Sequence, residues 1–568
     1  MLKLKKLCSA TLAMLLALSL LASCGNTGDE VPQNQNPALT DGAAGEETQN
    51  PALTPALAVE PTLTYTKEDF DAFFEKYVAL IQALSVVYWD IETGGTPPGA
   101  FEARSKTIGI LSTELFDMGI SDEMRGFFAY AEQAIESGEA DDVLRAMYSL
   151  TKSDYDKLMC IPADEYAAFA ELTANTPNIW AEAKGQNDFS MFAPSLQAIM
   201  DYQRKIVDYR AAAGIVYDNP YDAMLDDFEP GMTVKELDAF FDDLRSEIVP
   251  LLKAVTEAEK EIRTDFLSRE VPVSVQKNVA DLLINTVGFD MNRGVRAESE
   301  HPFTTSIGQS DVRITAKYTE DKFFNAFFAI MHESGHGIYM QNADKSLEGT
   351  ILDNGASLAI HESQSRFLEN MVGRSLEFWE GIYDDFIAVT EGYFDDVSVM
   401  ELYEAVNLIS PSFIRISADE LTYSLHIMVR YEIEKMIFNN PELTAEDLPA
   451  IWNEKMLEYL GITPETDSEG ILQDIHWSYG EFGYFPTYAL GNAYAAQMKH
   501  YMDEDFDTSA AVREQNISLI TDWLADKVHR HGALLTPDEI LSNITDEGFS
   551  SEYYVNYLKD KYAEIYNI

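Results

Sequence analysis

Basic residues are scarce in this chain. Lysine and arginine number 40 against 96 aspartates and glutamates, a formal charge of −56 over 568 residues. Such a surface repels phosphate backbones and excludes general binding to DNA or RNA. It also argues against docking on anionic lipid through a basic patch. Cysteine is scarcer still: three in all, too few for a disulfide scaffold. Cys160, far from the other two, reads as a small buried apolar residue. Past residue 23 no run is long and apolar enough to span a membrane. Histidine is missing from the first 300 residues, and all nine lie between 301 and 531. That directs metal or acid–base chemistry to the second half. Apolar residues are plentiful, at 46%, with 11% aromatic. The chain can therefore bury a large core and is not a disordered acidic polymer.

The front of the chain is different. Lys3, Lys5 and Lys6 precede the apolar run Leu7 to Leu21, which has the length of a secretory leader and is short for a spanning helix. Leu21-Ala22-Ser23-Cys24-Gly25 resembles a bacterial lipobox, in which the cysteine is diacylated and becomes the mature N-terminus. The expectation is a leader over 1–23 and a lipid anchor at Cys24 on the outer face of a bacterial cell membrane. Loss of the leader removes three lysines and no acid, taking the charge from −56 to −59. Residues 24–62 then form a polar, flexible linker. In it Asn36-Pro37-Ala38-Leu39-Thr40 recurs as Asn50-Pro51-Ala52-Leu53-Thr54.

The body, 63–568, is predicted to be one mainly α-helical catalytic domain. Thr66 and Asp69 form a capping box. Phe70, Phe73, Phe74, Tyr77, Leu80, Ile81 and Leu84 follow at helical spacing. Similar periodicity predicts helices over 234–258, 323–341, 357–372 and 421–438. Acids fill their polar faces, so most of the negative charge is solvated surface. The best strand signal is the alternation from Asp311 to Tyr318.

The chemistry is signalled by His332-Glu333-Ser334-Gly335-His336, at the end of a predicted helix. Histidines four apart project from one helix face and can hold a divalent ion, most naturally zinc. Glu333 is rotated about 100° from His332, placing it beside a water rather than on the metal. Chance supplies such a pattern in roughly one chain in a hundred of this composition. The metzincin extension needs Gly at 339 and His at 342, but Tyr339 and Asn342 stand there. The third ligand must come from elsewhere. Glu362, on a second predicted helix 30 residues after His332, is the best candidate, ahead of Glu348, Asp353 and Glu369. Two histidines and one glutamate with an open position make a catalytic site.

Further segments widen the pattern. They are Trp89-Asp90-Ile91-Glu92, Pro97-Pro98-Gly99, Tyr221 to Gly231, His301-Pro302-Phe303 and Asp311-x-Arg313-x-Thr315. His361-Glu362-Ser363-Gln364, Ile414-Arg415-x-x-Ala418-Asp419 and Gly470-x-x-Gln473-Asp474-x-His476-Trp477 follow in order. Together they resemble the carboxypeptidase Taq family of zinc metallocarboxypeptidases. The departure is the leader, because typical members are cytoplasmic.

The resemblance implies a large helical zincin-type fold with a deep cleft and a small β-sheet beside the active site. It implies removal of single C-terminal residues from peptides, with broad tolerance. His332, His336 and Glu362 would bind one Zn2+, with Co2+ as an alternative occupant, and Glu333 would be the base. The terminal carboxylate calls for an arginine fork, for which Arg415 and Arg313 are the candidates. Each could instead be an ion pair, with Asp419 and Asp311 respectively. Arg366 and Arg430 read as surface or packing residues. His476, Tyr423 and Tyr488 are candidate donors to the tetrahedral intermediate. His301 could position substrate, and Asp419 and Asp474 could orient histidines. The strand Val312–Tyr318 could pair with an extended peptide as an edge strand. The resemblance also implies a homodimer. Rival readings are an oligopeptidase or dipeptidyl carboxypeptidase of related fold, and a peptide-binding lipoprotein.

Overall fold

The structure is a computed structural model and describes residues 65–545 and 547–568. The leader, Cys24 and the 24–62 linker lie outside the described residues. No helix of the described residues is long and apolar enough to cross a membrane.

Helix α1, Lys67–Glu92, starts at the predicted capping box. Asp69 N–H donates to Thr66 Oγ1 at 3.3 Å, and Thr66 N–H donates to Asp69 Oδ2 at 2.8 Å. Phe70 and Phe74 enter a small core with Met124, Phe127 and Phe128 from later helices. That cluster is separate from the main core, which draws on residues from Phe169 to Tyr566. Helix α2, Val234–Glu257, opens on a second capping box between Thr233 and Glu236.

The sheet has three strands: β1, Gly294–Glu298; β2, Thr304–Ser306; and β3, Val312–Ala316. The order is β1-β3-β2, with β1 parallel and β2 antiparallel to β3. The alternation at 311–318 located β3 but not its place. Both of its edges are already paired, so it cannot add a peptide strand. It is a central strand: Val312, Ile314 and Ala316 are buried on one face, Thr315 is buried on the other, and β1 and β2 take its two edges.

Three helices build the site. Helix α3, Phe323–Gln341, runs over the predicted span. Every residue except Asn325 and Ala329 is buried, so it is a central helix rather than an amphipathic one. Helix α4, Leu358–Arg366, is capped by Ser357, which accepts from Ile360 N–H at 3.1 Å. The expected single helix over 357–372 changes character after Arg366. Residues Phe367–Val372 form a π-helical turn, and Gly373 N–H reaches back five residues to Leu368 O. Such widened turns recur at functional sites. Helix α5, Glu420–Asn439, matches the predicted 421–438 within one residue at each end. A further helix, α6, Pro486–Asp505, packs against α4.

The helices of the site pack closely at two glycines. A Cβ on Gly335 of α3 would lie 2.6 Å from Ser365 Cα of α4. A Cβ on Gly491 of α6 would lie 2.6 Å from Glu362 Cγ and 2.7 Å from Glu362 Cβ. Glycine costs a helix roughly 0.5–1 kcal/mol relative to alanine. Here that cost admits backbone contact between the helices carrying the histidines and Glu362. Gly335→Ala, favourable by helix propensity, is therefore expected to destabilise the fold by about 1–3 kcal/mol through overpacking. The denaturation midpoint measures this, and an unchanged or raised midpoint would refute the contact.

Candidate metal centre

The four-residue spacing on α3 sets His332 and His336 on one face, and α4 lays Glu362 across them. One ligand atom from each lies within 4.8 Å of the others. Glu362 Oε2 is 3.6 Å from His332 Nε2 and 3.5 Å from His336 Nε2. All three side chains are buried. His336 Nε2 is buried without a hydrogen-bond partner. A buried polar atom in that state calls for a ligand. Two imidazole nitrogens and a carboxylate oxygen suit a divalent cation of the zinc type. The residues therefore fit a metal ion.

The far side of each ligand is anchored. His332 Nδ1 lies 2.9 Å from Glu369 Oε2, and His336 Nδ1 lies 2.6 Å from His361 Nδ1. Glu362 Oε1 accepts from Arg366 Nε at 2.7 Å, and Arg366 Nη1 donates to Glu369 Oε2 at 3.0 Å. Burial pushes the Glu362 carboxyl up, but Arg366 and the two histidines outweigh it and hold it at about 2. Glu369 is likewise held below the ordinary carboxylate range, against burial, by Arg366, His332 and Arg374. Arg366 is thus no surface or packing residue. Its guanidinium is buried between two carboxylates.

Glu333 is buried one residue from His332. Thr304 of β2 places its hydroxyl 2.6 Å from Glu333 Oε2. The sheet therefore borders the site, as expected. Glu229, from the Tyr221–Gly231 motif, accepts from Ala359 N–H at 3.1 Å at the start of α4. A cleft of about 420 Å3 opens over His332 and Glu333. Its walls include Phe328, Arg366, Arg374, Val406, Tyr423 and Asn492.

The other ligand candidates fall away. Glu348 is exposed, Asp353 accepts from Gln309, and Glu369 holds a histidine. Among the proposed substrate and catalytic residues, Arg415, Tyr423, His476 and Tyr488 form one cluster. Arg415 Nη1 donates to Tyr423 Oη at 3.1 Å, and its guanidinium lies 5.0 Å from the Tyr488 ring centroid. Tyr488 lies 6.3 Å from both Tyr423 and His476, centroid to centroid. Tyr423 alone of these lines the cleft. Burial pulls the His476 ring down to about 3 despite Asp474, with Arg415 and Arg430 adding to the fall. His476 is therefore neutral at pH 7.

The ion partner of Arg415 is Asp474, not Asp419, and Arg430 shares that aspartate. Asp474 thus serves two arginines, and Asp419 caps α5 by accepting from Thr422 N–H. Neither is hydrogen-bonded to a histidine. That role falls to Glu369 and His361. Arg313 is committed to Asp311 and stacks on Trp89. His301 is exposed. Neither residue lines the cleft, although Pro302 does.

Residues 69–562 match the model of the carboxypeptidase Taq (M32) metallopeptidase family. Carboxypeptidase 1 of Bacillus subtilis is 42% identical over 504 residues, covering 89% of this chain and 99% of that protein. The structure of a Pyrococcus furiosus carboxypeptidase matches with a TM-score of 0.83 at 32% identity, covering 88% of this chain and 100% of that one. Metallocarboxypeptidase 1 of Trypanosoma cruzi matches with a TM-score of 0.82 at 32% identity, covering 87% and 99%. With its ligand helices, sheet and cleft arranged as above, the chain belongs to the carboxypeptidase Taq (M32) family of metallopeptidases.

Proposed function

We propose that the protein is a zinc carboxypeptidase that removes C-terminal residues from peptides, with Glu333 as general base. The observation that carries this reading is the convergence of His332, His336 and Glu362 within 4.8 Å, next to a buried Glu333 at the floor of a cleft. Zinc held there would supply Lewis acidity, acidifying a water and polarising the scissile carbonyl. Glu333, oriented by Thr304, takes the proton and returns it to the leaving amine. Tyr423 lines the cleft and accepts from Arg415 Nη1 behind it, so the Arg415 cation would act on a terminal carboxylate through Tyr423. Tyr423, on the cleft wall, is the donor to the developing oxyanion; His476, the other candidate, lies behind it off the cleft wall, and Tyr488 steadies Arg415 by stacking. Arg313 and His301 take no part in this scheme. The cleft wall mixes Leu267, Phe328, Val406 and Leu408 with polar groups, which suits side chains of many kinds.

Glu333→Gln should keep the metal and lose turnover by about 10^3-fold or more on a free-ended peptide. C-terminal amidation of that peptide should abolish cleavage by the wild type. Continued cleavage of the amide would favour the oligopeptidase reading. Equal behaviour of wild type and variant would favour a binding protein. Glu362→Ala should fail to retain zinc through dialysis. Full occupancy would mean that another carboxylate is the ligand.

The body is further proposed to sit on the outer face of a bacterial membrane, tethered through Cys24 and the linker. Support comes from the lipobox-like Leu21–Gly25 sequence alone. Cys24→Ala should move the protein from the membrane to the soluble fraction of its host. Unchanged membrane association would end that proposal.

A further inference from the structure

Arg366 stands where a cation is costly. It lies on the wall of the cleft, one turn from Glu362, with its Nε and Nη1 each given to a carboxylate. Its Nε occupies Glu362 Oε1 at 2.7 Å, while Glu362 Oε2 faces the two imidazoles at 3.6 and 3.5 Å. Its Nη1 occupies Glu369 Oε2 at 3.0 Å, the same oxygen that meets His332 Nδ1. Its flat face covers the Tyr423 ring, 4.5 Å from the centroid. Behind Glu362, Gly491 leaves no room for a side chain: a Cβ there would lie 2.6 Å from Glu362 Cγ and 2.7 Å from Glu362 Cβ.

A positive charge here opposes binding of a second cation. Its presence needs a gain in geometry. A glutamate can bind a metal through one oxygen or through both. The two-oxygen mode would fill a position that water or the substrate carbonyl needs. We infer that Arg366 is the positioning residue that restricts Glu362 to one-oxygen coordination and, through Glu369, fixes the orientation of His332. The inference rests on the metal reading above and deepens it. Lysine cannot replace this arginine. An ammonium keeps the charge but lacks the planar fork that serves two carboxylates at once.

The test compares wild type and Arg366→Lys as full-length proteins, each loaded with zinc and, separately, with cobalt(II). Zinc affinity by chelator competition should fall 10- to 100-fold in the variant, as for other residues that hold metal ligands. The cobalt visible bands should weaken as Glu362 swings to two-oxygen binding and the coordination number rises. A purely structural arginine would lower the melting temperature and leave the cobalt spectrum alone. Unchanged spectrum and affinity in the variant, with a metal-loaded wild type, would overturn this inference and leave the metal reading standing. A wild type that binds no ion would overturn both. Zinc X-ray absorption of the wild type decides the matter if the variant does not fold. One carboxylate oxygen at about 2.0–2.2 Å is expected, and a two-oxygen glutamate would refute the inference.

Discussion

The backbone contact between α3 and α4 governs the rest of the site. One helix brings two imidazoles and the other brings the carboxylate, and Gly335 lets them meet without side chains between them. The contact puts charge where water is excluded. Glu333, Glu362 and Glu369 are each about 5% exposed or less. An unpaired carboxylate in such a place costs several kcal/mol. Each therefore has an assigned partner. Thr304 serves Glu333, and Arg366 serves both of the others. Arg374 adds to Glu369 from the cleft side, at 3.2 Å. Buried atoms of the network without a hydrogen-bond partner include His336 Nε2, where the candidate ligand atoms converge, and His361 Nε2.

Much of this was legible in the sequence because it is local. The spacing of His332 and His336, the cap at Thr66 and the span of α3 follow from helical geometry alone. Glu362 followed from needing a carboxylate on the next helix. The anchoring residues were not read, because they depend on how helices pack. Glu369 lies seven residues after Glu362, two turns along one face, so its proximity could have been inferred. Its duty to His332 could not. Glu362 and Arg366 form a visible i,i+4 pair, normally a weak surface contact. Only burial turns it into the centre of the network. His361 was in view beside Glu362, yet its partner is set by the approach of α3. The alternation that found β3 could not say that β1 and β2 would cover both its edges.

The acidic composition and the site obey different rules. Most of the excess charge sits on exposed helix faces, where pairs such as Lys67–Asp71 and Lys106–Glu102 are solvated and contribute little. The Arg415 cluster beside the cleft has the opposite sign. Arg415 and Arg430, both buried, share the partly buried Asp474. One arginine more than aspartate leaves a local positive bias beside the cleft, within an otherwise strongly negative protein. A bias of that sign suits a ligand ending in a carboxylate, and net charge alone would have pointed the other way.

The two candidate ligand histidines are held by unlike partners, and the difference has a physical reason. His332 is backed by a carboxylate, which increases the basicity of its ligating nitrogen. His336 is backed by His361. Burial and the neighbouring His336 ring hold His361 well below the ordinary histidine range, so it stays neutral. With a metal on His336 Nε2, its Nδ1 would carry the proton and donate to His361 Nδ1, 2.6 Å away. The His361 proton is then on Nε2. A carboxylate behind His336 would add negative charge to a site that already holds Glu333, Glu362 and Glu369 against Arg366 and Arg374. A protonated imidazole would repel the cation. A neutral ring is the partner that orients His336 at no cost in charge.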